Sequence, residues 1–206
     1  RLRFEDQRVT LAQNGVPVTQ LWSDILLGGS VKWTKAWSMD ATTQYNPEIK
    51  ASQRSTVAAR YSPSSYRLAT LAYQRERAAS EMINVGWQWP VNDLWGDKGQ
   101  ALGPGLGQGG RRWYSVGRMN FNMVEQRMVD SLYGFEYDGC CWIGRAVLQR
   151  TYTSRTASNT QIMFQIEFVG LSYLGNNPLG TLRSNIPQYQ NLRNTQTSPS
   201  RFTNYD

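Results

Sequence analysis

Residues 128–152 read MVDSLYGFEYD-GCC-WIGRAVLQRTY, two runs of alternating side-chain character joined by a short polar break. In the first run Val129, Ser131, Tyr133, Phe135 and Tyr137 alternate with Asp130, Leu132, Gly134, Glu136 and Asp138. In the second, Trp142, Gly144, Ala146, Leu148 and Tyr152 alternate with Ile143, Arg145, Val147, Gln149 and Thr151. A period of two is strand spacing, because successive side chains leave opposite faces of a pleated backbone. The two faces differ chemically, so a slip of one residue would exchange them and the register is fixed. The break, Asp138-Gly139-Cys140-Cys141, holds the only two cysteines. Adjacent cysteines seldom bond to each other, since the ring they close strains the peptide between them. Either both are free thiols, or their partners lie in protein outside this chain.

The same period recurs on both sides. Downstream, Ile162, Phe164, Ile166 and Phe168 share a face, and Gln161, Met163, Gln165 and Glu167 share the other. Upstream, Ile25, Leu27, Gly29, Val31 and Trp33 form one face of a run, as do Val57, Ala59 and Tyr61, and then Ile83, Val85, Trp87 and Trp89. Further runs fall at residues 37–45, 66–74 and 113–121, and residues 1–11 alternate loosely. Asn14-Gly15, Asn46-Pro47, Ser62-Pro63 and Pro90 punctuate the series as turns. About ten strands are predicted on this spacing. Residues 91–111 interrupt it with Gly103-Pro104-Gly105-Leu106-Gly107-Gln108-Gly109-Gly110. A phosphate cradle needs a lysine-serine or lysine-threonine pair and a helix start after such glycines, and neither follows. A flexible insertion is expected there.

With 12% aromatic residues, 18% charged residues and 18 glycines in 206 positions, the composition suits a β-rich chain. No apolar run approaches the ~18 residues of a membrane-spanning helix. The mean hydropathy of −0.55 is neutral toward a barrel, whose strands are apolar only at alternate positions. A net charge of +7 suits an anionic partner. The basic residues are dispersed through strand-like runs, which argues against nucleic acid. There is no histidine to activate a nucleophile, and two cysteines without histidine fall short of a tetrahedral zinc site. No enzyme activity, cofactor or metal is expected. The chain opens at Arg1 without a methionine or an export signal, as a mature or cut segment would.

Two architectures compete for these strands. In a soluble sandwich the apolar faces meet in a core, and in an outer-membrane barrel they face lipid. Lys32, Arg60, Arg67, Arg118, Asp130, Glu136, Arg145 and Glu167 lie inside strands opposite apolar residues, and tryptophans recur near strand ends. Sequential hairpins with these polar faces favour an all-β, antiparallel transmembrane β-barrel.

Tyr137-Asp138-Gly139-Cys140-Cys141-Trp142 followed by Arg145, the run Gln165-Ile166-Glu167-Phe168-Val169-Gly170-Leu171, and the segment Leu182-Arg183-Ser184-Asn185-Ile186-Pro187-Gln188-Tyr189-Gln190 resemble the C-terminal barrel of the LPS-assembly outer-membrane protein family, LptD. Weaker similarity extends to Trp89-Pro90 and Phe4-Glu5-Asp6-Gln7-Arg8. The resemblance implies the C-terminal portion of a larger barrel over residues 1–172, with a periplasmic tail over 173–206. It implies an outer-membrane translocon that assembles lipopolysaccharide into the outer leaflet. The sugars would pass a polar lumen, and the acyl chains a lateral seam at the last strand, Gln161, Ile162, Met163, Phe164, Gln165, Ile166, Glu167 and Phe168. The implied partners are lipopolysaccharide, an LptE-type lipoprotein plug, periplasmic transport-bridge proteins reached through an N-terminal domain, and outer-membrane lipid. Cys140 and Cys141 would then form disulfides with cysteines outside this chain. A periplasmic C-terminus places their turn, and residues 91–111, on the periplasmic side. Lumenal Arg60, Arg67, Arg118 and Arg145 would attract phosphate, or would pair with Asp130, Glu136 and Glu167 to support the wall. A passive porin or substrate-specific channel is the alternative, and a soluble β-sandwich that binds glycans is a third.

Overall fold

The computed structural model describes residues 22–193 apart from 101, 104 and 154–156. The alternating runs form β1 Ile25–Lys32, β2 Trp37–Asn46, β3 Ala51–Ser64, β4 Arg67–Glu76, β5 Ser80–Pro90, β6 Arg112–Asn122, β7 Arg127–Asp138, β8 Trp142–Tyr152, β9 Ser158–Phe168 and β10 Ser172–Gly175. They make one ten-stranded sheet in sequence order, each strand antiparallel to the next. The strand expected at residues 1–11 lies outside the described residues. None of the helices among the described residues is long and apolar enough to cross a membrane. Strands β2 to β9 run 10 to 14 residues each, long enough for a tilted strand to cross a bilayer.

Alternation separates the faces cleanly. On β9, Ile162, Phe164, Ile166 and Phe168 are exposed while Met163, Gln165 and Glu167 are buried. Register carries the apolar face across the sheet, setting Leu148 beside Ile162 and Tyr133 beside Leu148. Aromatic rings crowd this face along the rim that holds the cysteine pair. Trp37 lies 4.7 Å from Tyr61 and Tyr61 lies 6.2 Å from Trp89, while Trp113 lies 4.8 Å from Tyr137 and Tyr137 lies 5.1 Å from Trp142. A band of exposed aliphatic side chains edged by tryptophan and tyrosine is the composition of a lipid-facing wall.

From β4 to β9 the other face is covered by the chain's own tail, whereas on β1 it is exposed. Gly175 has φ +104°, and a Cβ there would lie 2.3 Å from the Phe164 carbonyl oxygen, so the exit from β10 requires glycine. The chain then forms α1 Pro178–Asn185, whose start is capped by the Asn177 side chain accepting from the Gly180 N–H at 3.0 Å. Leu182 and Ile186 pack with Leu68, Val116, Leu132, Val147 and Met163. Leu192 packs with Tyr66, Tyr114 and Ile143. Each fully buried aliphatic side chain contributes about 1.5–3 kcal/mol, so this small core pins the tail to the sheet.

β10 extends the sheet beyond residue 172, and residues 178–193 pack across its polar face. The glycine-rich stretch that follows β5 is bonded both to the sheet and to the tail. It begins with a 3-10 turn at Val91–Trp95, and Gly103, Gly105 and Gly107 all have positive φ. The Tyr66 hydroxyl accepts from the Gly105 and Gly107 N–H groups at 2.8 and 3.0 Å. Leu106 forms an antiparallel bridge with Arg193, joining the glycine loop to the tail.

Candidate functional site

The centre of the covered face is an ion cluster. Register places Glu136 of β7 opposite Arg145 of β8, and Arg145 opposite Gln165 of β9. Arg145 Nε donates to Glu136 Oε1 at 2.9 Å, and Nη1 donates to Glu167 Oε2 at 2.5 Å and to Gln165 Oε1 at 3.3 Å. The Arg145 and Glu136 side chains have no exposed surface. From the tail, the Tyr189 hydroxyl donates to Glu136 Oε1 at 2.5 Å. Burial and the Glu136 charge push the Tyr189 phenol well above its usual range, so it remains a donor.

Polar groups on either side continue the pattern. Arg118 of β6 donates from Nη1 to Asn185 Oδ1 of the tail at 2.7 Å and lies 3.8 Å from Asp130. Gln88 of β5 treats the tail as a neighbouring strand, donating to the Gln190 carbonyl at 2.8 Å and accepting from its N–H at 2.9 Å. Gln190 Oε1 in turn accepts from the Tyr66 N–H at 2.7 Å.

At the rim, Asp138 joins this face to the cysteines. Its Oδ1 accepts from the Cys140 N–H at 3.0 Å and from Arg193 Nε at 3.2 Å. Cys140 has φ +75° at the crest of the turn, and both thiols are free and exposed with their sulfurs 3.6 Å apart. That separation is far beyond the roughly 2.05 Å of a bonded pair. The neighbouring Cys140 thiol pushes the Cys141 thiol above its ordinary value. Nearby, the Arg112 guanidinium holds the Asp97 carboxyl below its usual range.

The four arginines singled out from sequence have separate fates. Arg145 is engaged in the buried cluster, and Arg118 is held by Asn185 and Asp130. Arg67 alternates with the inward Leu68, so it shares the parity of the outward Leu71 and Tyr73 and sits at the rim, bonded to both oxygens of Asp93 at 2.6 Å. Leu68 is apolar because it packs under the tail, and apolarity there does not mark the lipid side. Arg60 is half-buried on the inner face with only a 3.5 Å bond to Ser38 Oγ, and its Nε is buried without a partner.

The strand expected to form the seam is covered over part of its edge. β10 pairs with Gln165, Ile166, Glu167 and Phe168, while Gln161, Ile162, Met163 and Phe164 have β8 as their one strand partner among the described residues. Sequence reasoning missed the tail's contribution through Asn185, Tyr189, Gln190 and Arg193. Asn177-Pro178, a capping side chain followed by proline at the first helical position, was the signal that the tail folds.

A family model described as LPS transport system D matches residues 1–95. Over its whole length the chain is 57% identical to the LPS-assembly protein LptD of Polaromonas sp. (strain JS666 / ATCC BAA-500) and 56% identical to that of Paracidovorax citrulli (strain AAC00-1). It is 33% identical, again over its whole length, to that of Ralstonia nicotianae (strain ATCC BAA-1114 / GMI1000). The chain belongs to the LptD family. It spans 25% of the first two relatives and 24% of the third. The ten strands are therefore a stretch of the antiparallel outer-membrane barrel of LptD, with the apolar face toward lipid and the tail on the inner side. The family-model match ends at the 3-10 turn, whereas the similarity to the relatives spans the whole chain.

Two outcomes follow. Arg145→Leu leaves Glu136 and Glu167 without their cation and is expected to cost about 3–5 kcal/mol in urea unfolding of the intact protein in detergent. Adding Glu136→Gln and Glu167→Gln should restore most of that loss. In the reduced protein, a raised Cys141 pKa means less thiolate near neutral pH, so iodoacetamide should label it more slowly than an ordinary exposed thiol. Cys140→Ala should move the rise in labelling rate to lower pH.

Proposed function

We propose that this chain is the closing portion of an outer-membrane translocon that assembles lipopolysaccharide into the outer leaflet. The observation that carries the reading is the edge of β9. There Ile162 and Phe164 face the lipid side, Gln161 and Met163 face the inner side, and β8 is the one strand partner of all four among the described residues. A molecule with acyl chains and phosphorylated sugars needs such a border between an apolar and a polar medium. Sugars pass on the inner face, and acyl chains leave where this edge parts from the barrel's first strand. Arg60, without an ion pair among the described residues, is the inner-face cation best suited to phosphate. Arg145 and Arg118 instead hold wall and tail together.

The cysteine turn, the glycine loop and the tail share one rim, and this is assigned to the periplasm. An oxidising compartment favours disulfides from Cys140 and Cys141 to cysteines of an N-terminal domain. That domain would also meet the periplasmic bridge proteins, and an LptE-type lipoprotein would occupy the barrel. The tail across the polar face disfavours a passive porin, which keeps its lumen open. Energy comes from elsewhere in the assembly.

Locking Gln161 covalently to the strand that closes on β9 should stop lipopolysaccharide reaching the cell surface, and undiminished export would refute the lateral exit. On nonreducing gels the intact protein should migrate differently before and after reduction. Joint replacement of Cys140→Ser and Cys141→Ser should abolish that difference.

A further inference from the structure

The lipid-facing aromatic belt meets the β5–β6 connection between Trp89 and Trp113. There the 3-10 turn Val91–Trp95 leaves Leu94 83% and Trp95 74% exposed. The turn is nevertheless held firmly. Asp93 accepts two bonds from Arg67, Asn92 Oδ1 accepts from the Trp113 N–H at 2.9 Å, and Gly96 ends the turn in the left-handed conformation with its N–H on the Asp93 carbonyl. Two large apolar side chains are thus displayed on a fixed support that is bonded to β6 at Trp113, a residue of the aromatic belt.

The charges nearby are sorted as well. The acidic residues of the connection are both engaged, Asp93 by Arg67 and Asp97 by Arg112. Lys98 and Arg111 enter no ion pair among the described residues. Lys98 lines a cleft of about 430 Å³ with Pro63, Arg67, Trp89 and Asp93. Exposed leucine and tryptophan next to an unneutralised lysine, continuous with a lipid-facing belt, have the chemistry of an interfacial membrane anchor.

We propose that residues 91–98 anchor this rim in the adjoining leaflet. Leu94 and Trp95 enter the boundary between headgroups and acyl chains, and Lys98 pairs with the phosphate of an anionic phospholipid. The proposal requires that the strands cross a bilayer and requires no step of lipid transport. An anchor here fixes the height of the rim at the point where the glycine loop and tail meet.

The test uses the intact protein reconstituted in vesicles of phosphatidylcholine and phosphatidylglycerol with acyl chains brominated near the headgroup. Emission from Trp95 is taken as the difference between wild type and Trp95→Phe, and that of the belt as the difference from Trp113→Phe. Bromine should quench Trp95 as strongly as Trp113, and acrylamide in the water should reach neither. Lys98→Gln should weaken the preference for phosphatidylglycerol over phosphatidylcholine about five-fold, as expected for loss of one cation at an anionic surface. Trp95 quenched by acrylamide and not by bromine would place the turn in water. Trp95 shielded from both would place it under protein, and either result overturns the anchor. An unchanged lipid preference in Lys98→Gln overturns the phosphate contact. A Trp113 insensitive to bromine would withdraw the bilayer placement of the strands, and the anchor with it.

Discussion

Arg145 carries a full charge with no exposed side-chain surface, and much of the fold is arranged around that fact. Water is denied to the guanidinium, so its charge is offset by protein partners at Nε and Nη1, while Nη2 and Glu136 Oε2 are buried without a hydrogen-bond partner. Glu136 comes from the preceding strand, and Gln165 and Glu167 come from the following one. Tyr189 then closes the cluster from a segment 53 residues further along the chain than Glu136. The polar face can hold a buried charge only because the tail lies over it, and the tail is fixed in part because the charge is there. The Tyr189 bond to Glu136 thus ties the cluster to the tail, beside the apolar packing of Leu182, Ile186 and Leu192.

A membrane wall imposes the complementary constraint. Its outer face meets hydrocarbon and needs no partner, so Ile162, Phe164, Leu71 and Phe135 stand exposed without an internal core to receive them. Its backbone must be satisfied along every strand, because lipid offers no hydrogen bonds. The meander supplies this throughout β2 to β8 and leaves the question to the edges. β10 answers it for four residues of β9 and the Asn176 N–H for the Phe164 carbonyl, while the rest of that edge has no strand beside it among the described residues.

The strands were legible because a period of two is written locally. Residues 162–168 show it without interruption, and the register followed from the chemical contrast between faces. What the period did not explain is why the polar face carries apolar residues. Leu68, Val116, Leu132, Val147 and Met163 are apolar and point inward, since the tail turns that part of this face into a small core. The glycine loop and tail were obscure for a different reason. Their order comes from bonds such as Gln88 to Gln190 and Tyr66 to Leu192, whose partners are more than 100 residues apart in sequence and leave no periodic trace. Only the capping pair Asn177-Pro178 announced locally that the tail was folded.

The same long-range bonds give the cysteine turn its setting. Two exposed thiols on a tight turn would be reactive in many arrangements, but here the turn is bonded to Asp138, and Asp138 is bonded to Arg193 at the end of the described tail. Arg193 also bridges to Leu106 in the glycine loop, and Gly107 approaches Asp138 so closely that a Cβ would lie 2.6 Å from its Oδ2. Three segments far apart in sequence thus converge on one carboxylate beside the thiols. The turn's own bonds, from Cys140 to Asp138 and from Gly139 to Trp142, are local to the β7–β8 hairpin, and the loop and tail add to them through the same carboxylate.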